Sequence, residues 1–159
     1  MEHKTHSIFV FVILILLIVF TSCDSKRLFD ENKEIPGTQW DKNNVISFSV
    51  SIADTVMPHN VYVNIRQNGQ YQNANLYLFV NVISPAGEKL RDTINCILAD
   101  SKGKWLGSGL GDLYSNQLMY KKNIKFPRSG NYIFEFEQAM RTDILKNIED
   151  IGIRIERSE

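Results

Sequence analysis

Large apolar residues alternate with polar ones along much of the chain, with a period of two. The clearest case is the segment 45–52 (VISFSVSI), in which Ile46, Phe48, Val50 and Ile52 alternate with serines. A period of two predicts a strand with one face in a hydrophobic core and the other in water. Six further segments have strand character: 61–66, 75–83, 93–98, 118–126, 131–138 and 150–157.

Turn-forming residues separate these segments, and all four prolines fall between them, as ladder hydrogen bonding requires. Short strands with this punctuation predict an all-β fold, specifically an antiparallel β-sandwich of the jelly-roll kind with seven or eight strands. A parallel α/β fold would need several crossover helices, and the sequence has no pattern for them. One short helix is expected over 141–148, before the last strand, because Met140, Ile144 and Ile148 recur every four residues.

The last strand is expected inside a sheet. Ile151, Ile153 and Ile155 point to one side of it, and Arg154 and Glu156 point to the other. We therefore expect the domain to depend on its C-terminal residues for folding.

The N-terminus begins with an unbroken apolar run over residues 8–20, followed by Thr21, Ser22 and Cys23. Thirteen helical residues rise about 20 Å, less than the roughly 30 Å of a bilayer core. The run therefore suits a secretion signal better than a permanent span. We interpret residues 1–22 as a lipoprotein signal peptide and Cys23 as the acylated first residue of the mature protein. The alternative is an uncleaved membrane anchor.

Residues 23–39 are expected to form the lipid-bearing cysteine and a flexible tether. The part from 24 to 39 holds seven charged residues and ends near Pro36-Gly37. Such a composition buries too little apolar surface to repay the entropy of ordering. The β-sandwich domain is therefore predicted to span 40–159, with a first turn or strand near Trp40.

The charge balance argues against nucleic acid as a partner. The chain has 18 basic and 18 acidic residues, whereas a nucleic-acid binder normally presents a basic face to phosphate. The one basic cluster consists of Lys121, Lys122 and Lys125. On a strand, such lysines more often protect a sheet edge than bind a ligand.

Catalytic chemistry has few candidates in the mature chain. His59 is its only histidine, is expected in a solvated turn, and offers no triad or zinc constellation. Cys96 is expected to be buried and inert, and a Cys23–Cys96 disulfide is a lesser alternative that would exclude the lipid. We therefore expect no enzyme activity, no catalytic residues, no metal and no cofactor, and no small-molecule ligand is indicated.

Two stretches are candidates for contact with a partner. The glycine-rich loop 103–112 carries Trp105, which is expected to fold over the core edge on glycines with positive φ, the alternative being an exposed contact. The strand 75–83 is apolar on both faces. Tyr77 and Phe79 are therefore either covered by another part of the chain or exposed for docking, and both interpretations stay open.

The mature chain resembles the GldH lipoprotein family of gliding motility in Bacteroidetes. The resemblance rests on Cys23 at the end of the signal and on the segments 75–79 (NLYLF), 92–93 (DT), 103–112, 138–141 (QAMR) and 150–156 (DIGIRIE). It implies a non-catalytic, membrane-anchored envelope lipoprotein associated with gliding and type IX secretion, with envelope or motility proteins as partners. Only the lipid-bearing Cys23 is carried over as a functional residue, and the choice between inner and outer membrane stays open.

A second hypothesis comes from the fold class alone. β-Sandwiches often bind glycans on aromatic platforms, so the chain is alternatively a carbohydrate-binding module on a lipid anchor. Tyr62, Tyr71, Tyr77, Trp105 and Tyr114 would supply its rings. A coplanar, exposed row of these rings would favour that hypothesis.

Overall fold

The computed structural model describes residues 26–158, and the strands dominate this part of the chain. The signal segment and Cys23 lie outside the described residues. One short 3-10 turn, Pro36–Thr38, interrupts the strands, and no helix within 26–158 is long and apolar enough to cross a membrane. The strands are β1 (Arg27–Glu34), β2 (Gln39–Asp41), β3 (Ile46–Ile52), β4 (His59–Asn68), β5 (Asn75–Ile83), β6 (Lys89–Ile97), β7 (Leu113–Ile124), β8 (Gly130–Gln138), β9 (Ile144–Lys146) and β10 (Ile148–Arg157).

The strands form two four-stranded sheets and one short pair. The first sheet has the order β1-β10-β4-β7, the second has the order β3-β8-β5-β6, and β2 pairs with β9. Every pairing is antiparallel. The expected all-β, antiparallel class is therefore confirmed, and the last strand lies inside a sheet as predicted.

Alternating residues of the two large sheets form one hydrophobic cluster. β3 contributes Phe48 and β8 contributes Phe134 and Phe136, while β10 contributes Ile151 and Ile153, all at most 1% exposed. These are the positions that the period-two pattern assigns to the core, because alternate side chains of a strand share one face. Trp40 is a fully buried member of the cluster and donates its indole N–H to the Asn44 carbonyl oxygen at 2.8 Å.

The predicted flexible tether is wrong for the described part of 23–39. β1 pairs with β10 along its whole length, so the folded domain begins at Arg27 instead of Trp40. The β1 side chains stay largely exposed, and the strand is held by its backbone ladder. Gly152 permits this approach, since a Cβ atom there would meet the Glu31 carbonyl oxygen at 2.7 Å.

The predicted short helix over 141–148 is also wrong. The segment makes a bend and then forms β9, which pairs with β2. The Gln138 side-chain amide donates to the Thr142 carbonyl oxygen at 2.8 Å, and the Thr142 hydroxyl donates to the Ile144 carbonyl oxygen at 3.0 Å. Such side-chain bonds compete with a helical ladder.

The sheets have two ends that matter for function. At the N-terminal end, the Arg157 N–H donates to the Lys26 carbonyl oxygen at 2.9 Å, Arg157 pairs with His59, and His59 pairs with Ile124. The connections 53–58, 84–88 and 125–129 lie at this end. At the distal end, Asn68 pairs with Leu113, and the connections 69–74 and 98–112 lie there.

Candidate functional site

The connection 98–112 at the distal end is a folded loop. The Leu98 N–H donates to the Ala74 carbonyl oxygen at 2.8 Å, and the Leu106 N–H donates to the Leu98 carbonyl oxygen at 2.9 Å. Ser108 and Ser115 exchange backbone hydrogen bonds at 3.0 and 2.7 Å. Because each of these bonds fixes the backbone, the loop keeps a defined shape without a buried core of its own.

The glycines of this loop have two different roles. Gly103 and Gly111 have φ angles of 80° and 67°, as expected for positions that require positive φ. Gly107 and Gly109 do not have positive φ angles, so the prediction of positive φ is wrong for these two residues. A Cβ atom on Gly109 would meet the Leu113 carbonyl carbon at 2.8 Å, and one on Gly107 would meet the Asn116 amide nitrogen at 2.9 Å. These two glycines therefore let the loop lie against β7.

Three leucines project from this fixed backbone into solvent. Leu106 is 58% exposed, Leu110 is 92% exposed and Leu113 is 39% exposed. We call 106–113 the leucine loop. Sequence reasoning considered only Trp105 in this stretch, although leucines between glycines were a usable signal because glycines leave their neighbours uncovered.

Trp105 is partly buried against the hydrophobic cluster, so the favoured interpretation of this residue agrees with the structure. Its ring centre lies 6.3 Å from that of Tyr71 and 5.8 Å from that of Tyr114. Tyr71 is 4% exposed and donates to the Asn75 carbonyl oxygen at 3.0 Å, and burial raises its pKa to about 12. The three rings meet at 38° and 41° and do not make a coplanar exposed row.

Tyr77 and Phe79 lie on the outer face of β5. The sequence left open whether these side chains are covered or exposed, and the structure shows Tyr77 exposed and Phe79 covered. Tyr77 is 42% exposed. Phe79 is covered by Arg91, whose guanidinium binds both carboxylate oxygens of Glu137 at 2.9 and 3.0 Å. These bonds lower the pKa of Glu137 and raise that of Arg91. Within 26–158, no ring contact joins either residue to Trp105.

His59 contradicts the expectation of a solvated turn residue. It is the first residue of β4 and is fully buried. Its ring centre lies 5.5 Å from that of Phe126, and neither ring nitrogen has a hydrogen-bond partner in the described structure. Burial lowers its pKa, with Arg157 acting in the same direction and Asp54 opposing both. The side chain is therefore a neutral part of the core.

The remaining candidate chemistry is sparse. Cys96 is 3% exposed as expected, and burial raises the pKa of its thiol to about 12. A thiol with that pKa has almost no nucleophilic thiolate at neutral pH. In the part of the chain that the structure describes, no three His, Cys, Asp or Glu side chains are grouped to hold a metal ion.

Similarity to solved structures is weak. Dimeric latent PorU from Porphyromonas gingivalis aligns with 87% of this chain and 14% of its own length, at 10% identity and a TM-score of 0.36. The infectious bursal disease virus Gx strain structure aligns with 82% of this chain and 30% of its own, at 10% identity and a TM-score of 0.29. At these scores the likenesses carry no argument about function.

Similarity at the sequence level is extensive. The family model of the GldH lipoprotein matches residues 27–155. A gliding motility lipoprotein GldH homolog of Christiangramia forsetii is 37% identical over 157 residues, which cover 94% of this chain and 96% of the relative. The gliding motility lipoprotein GldH of Flavobacterium johnsoniae is 34% identical over 155 residues, which cover 93% and 96%. The chain belongs to the GldH lipoprotein family, which confirms the resemblance seen in its sequence and its location as a membrane-anchored lipoprotein of the cell envelope.

Proposed function

We propose that this chain is a non-catalytic structural component of the gliding motility and type IX secretion machinery, held at the membrane by lipid on Cys23. The names of its relatives support the role in gliding. Within residues 26–158 the one cysteine, Cys96, and the one histidine, His59, are both buried, which supports action by contact. Its other proposed partners are proteins of the envelope or of the motility machinery.

The observation that carries the proposal is the exposure of Leu110 on a hydrogen-bonded loop. A fully exposed leucine side chain forgoes about 1.5–3 kcal/mol that burial would provide; Leu110 is close to that limit, and Leu106 and Leu113 are partly exposed. Apolar residues on a fixed backbone lose little conformational entropy when they dock, so they suit a protein interface. We propose that the leucine loop inserts into an apolar groove of a neighbouring envelope protein.

The residues singled out from the sequence have secondary places in this proposal. Tyr77 lies near Met140 on a separate exposed area and is proposed as a second contact. Trp105 is proposed to support the leucine loop, because its ring contacts those of Tyr71 and Tyr114. Phe79 is proposed to act in stability because Arg91 covers it.

We further propose that the two four-stranded sheets pack as a jelly-roll sandwich. Their strand orders, β1-β10-β4-β7 and β3-β8-β5-β6, are consistent with the two interlocked Greek keys of that fold. In this arrangement the chain passes repeatedly between the sheets. The leucine loop then belongs to the set of connections at the distal end.

Carbohydrate binding is the alternative, and no observation favours it over protein docking. The Trp105 cluster is tilted and partly buried, whereas a glycan platform needs flat exposed rings. The Tyr62 hydroxyl donates to the Glu156 carboxylate at 2.9 Å. This hydroxyl is therefore already hydrogen-bonded within the first sheet.

The test is crosslinking in cells with the full chain carrying Leu106→Ser and Leu110→Ser. We expect the crosslinked partner to be lost, while lipidation and melting temperature stay at the level of the unchanged chain. Met119→Ser is the matched control, because Met119 is 48% exposed on a β7 strand face. Retention of the partner by the double variant, or a gel shift with envelope polysaccharide in the absence of any protein partner, would contradict the proposal.

A further inference from the structure

A cavity of about 420 Å³ lies at the N-terminal end of the domain. Its walls come from both sheets and from the connection 125–129. The apolar residues of the walls are Val61, Val82, Leu90, Ile124, Phe126 and Phe134. Small-molecule sites are typically apolar clefts of roughly 300–1,000 Å³ with a few polar groups at defined positions, so this cavity has the size and lining of a ligand site.

Lysines surround the mouth of the cavity. Lys89, Lys121 and Lys125 line it together with a single acidic residue, Glu88. Lys121 is paired with Asp92 at 2.7 Å, and Lys89 is paired with Glu135 at 3.4 Å. Across residues 26–158, no ion pair or hydrogen bond engages the Lys125 ammonium group.

Because Lys121 and Lys89 are ion-paired, the excess positive charge at this end comes from the connection after β7. Residues 121–128 (KKNIKFPR) contain four basic residues and no acidic one. An apolar interior with a basic rim is complementary to an amphiphile that has a hydrocarbon chain and an anionic group. A neutral or purely polar ligand would leave one of these two features without a counterpart.

The position of the cavity identifies where such a ligand would come from. Lys26 and Ile124 lie at the same end of the first sheet, joined through Arg157 and His59. Cys23 is three residues before Lys26, and three extended residues span at most about 10 Å. If Cys23 carries lipid, the mouth of the cavity therefore lies at the end of the domain next to the bilayer.

A second apolar feature lies at this end. Val56 is 71% exposed and Met57 is 45% exposed, both in the connection 53–58. Exposed apolar residues beside basic ones are the combination by which proteins bind the surface of anionic membranes. The connection 53–58 itself holds an acidic residue, Asp54, and no basic one, so it adds apolar surface at this end, while the basic groups belong to 121–128.

We propose that the cavity binds one acyl chain of an anionic membrane lipid, whose headgroup phosphate is held by Lys125 and by Lys121, the latter sharing its three N–H donors between Asp92 and the phosphate. The proposal rests on the proposed lipid anchor, which brings the cavity to the bilayer. It assigns to the chain a lipid site separate from the acyl groups on Cys23. Those groups carry no anionic headgroup, so the lysine rim favours a lipid of the surrounding membrane.

The test uses the lipidated mature chain in nanodiscs of phosphatidylcholine that contain phosphatidylglycerol with a photoreactive acyl terminus. We expect crosslinks to peptides of β5 and of 121–128. Lys121→Glu with Lys125→Glu should lower their yield roughly tenfold, since each basic residue near an anionic surface contributes a several-fold gain. Leu90→Asp, which places a charge in the apolar wall, should lower it as well.

The matched control is Lys102→Glu with Lys104→Glu, which makes the same change of charge at the distal end and should leave the yield unaltered. Crosslinks confined to 53–58 would overturn the cavity site, as would an equal yield with photoreactive phosphatidylcholine. So would labelling of the cavity by a photoreactive acyl group attached to Cys23 itself. The mass of the N-terminal peptide reports the anchor independently, so failure of the lipid site is distinguishable from failure of the proposed function.

Discussion

The guanidinium carbon of Arg91 lies 4.2 Å from the centre of the Phe79 ring. The same guanidinium binds Glu137 through two hydrogen bonds, so the ring is covered by a charged group that is itself fixed. Phe79 and Tyr77 are two residues apart on the same face of β5, yet only Tyr77 remains exposed. Replacing Phe79 should therefore change stability, whereas replacing Tyr77 should change only the proposed contact with a partner.

Phe79→Ser should destabilise the domain, whereas Tyr77→Ser should not. We expect the first to lower the free energy of unfolding by roughly 1–3 kcal/mol, because it removes the contact with Arg91 and part of the apolar packing. The second should change it by less than about 0.5 kcal/mol. Urea denaturation of both variants measures this difference. Equal effects of the two substitutions would contradict the division of roles.

Deletion of residues 150–159 should prevent folding. β10 lies between β1 and β4 in the first sheet, and its Ile151, Ile153 and Ile155 are fully buried. Removal of these residues would leave β1 without a partner, β4 with β7 as its one remaining partner, and a large gap in the core. Circular dichroism and thermal melting provide the measurement. A soluble truncated chain that melts cooperatively would show that the last strand is dispensable.

Acid should weaken the fold through His59. Burial places the pKa of His59 in the folded chain below its unfolded value of about 6.5. The unfolded chain then binds a proton that the folded chain does not, so stability is complete above pH 6.5. Below that pH it falls by at most about 1.4 kcal/mol per pH unit until the folded pKa is reached.

His59→Leu should reduce this pH dependence. Both ring nitrogens of His59 are without hydrogen-bond partners in the described structure, so the substitution breaks no hydrogen bond there and should cost little at pH 7.5. Urea titrations of both chains from pH 7.5 to pH 5 give the comparison. The same decline with pH in the variant would assign the effect to other groups.

The Cys96 thiol should be protected from modification. It is 3% exposed and its pKa is raised to about 12 by burial. We expect a thiol reagent at pH 8 to react with the folded chain at the rate of local or global opening, and with the urea-unfolded chain at once. Fast labelling under native conditions would contradict both the burial and the predicted inertness.

Gly152→Val should release β1 from the first sheet. A side chain at this position would meet the Glu31 carbonyl oxygen and the Asn32 side chain, so the two strands could no longer lie at ladder distance. We expect fast hydrogen exchange over 27–34 and a loss of roughly 1–3 kcal/mol in stability, with β10 still paired to β4. Retained protection of 27–34 would show that β1 tolerates the added volume.

The sequence predicted the strands that bury one face, because alternation reports burial directly. This holds for β3, β4, β8 and β10, whereas β5 is indicated by an apolar run that ends at turn residues. β1 was missed because its ladder is made by backbone groups, whereas its side chains are charged and exposed. The rule for disorder counts what side chains bury and cannot detect such an edge strand.

The candidate sites were harder to predict from the sequence than the strands. Trp105 drew attention to the right loop, but the exposed leucines depend on how Gly107 and Gly109 pack against β7. The cavity was not predicted, since its walls come from both sheets and meet only in the folded chain. His59 was misjudged because Pro58 suggested a turn, while β4 begins one residue later and carries the side chain inward.

The pairing of β1 from Arg27 onward also bears on how far the distal end of the domain lies from the membrane. Strand residues rise about 3.4 Å each, so the eight residues of β1 cover roughly 27 Å between the two ends of the sheet. If Cys23 carries the acyl groups, the three residues from Cys23 to Lys26 span at most about 10 Å, so the height of the leucine loop above the lipid headgroups has an upper limit. A binding partner must then offer its groove within that limit, and extra residues inserted before Arg27 would raise the limit without changing any contact surface.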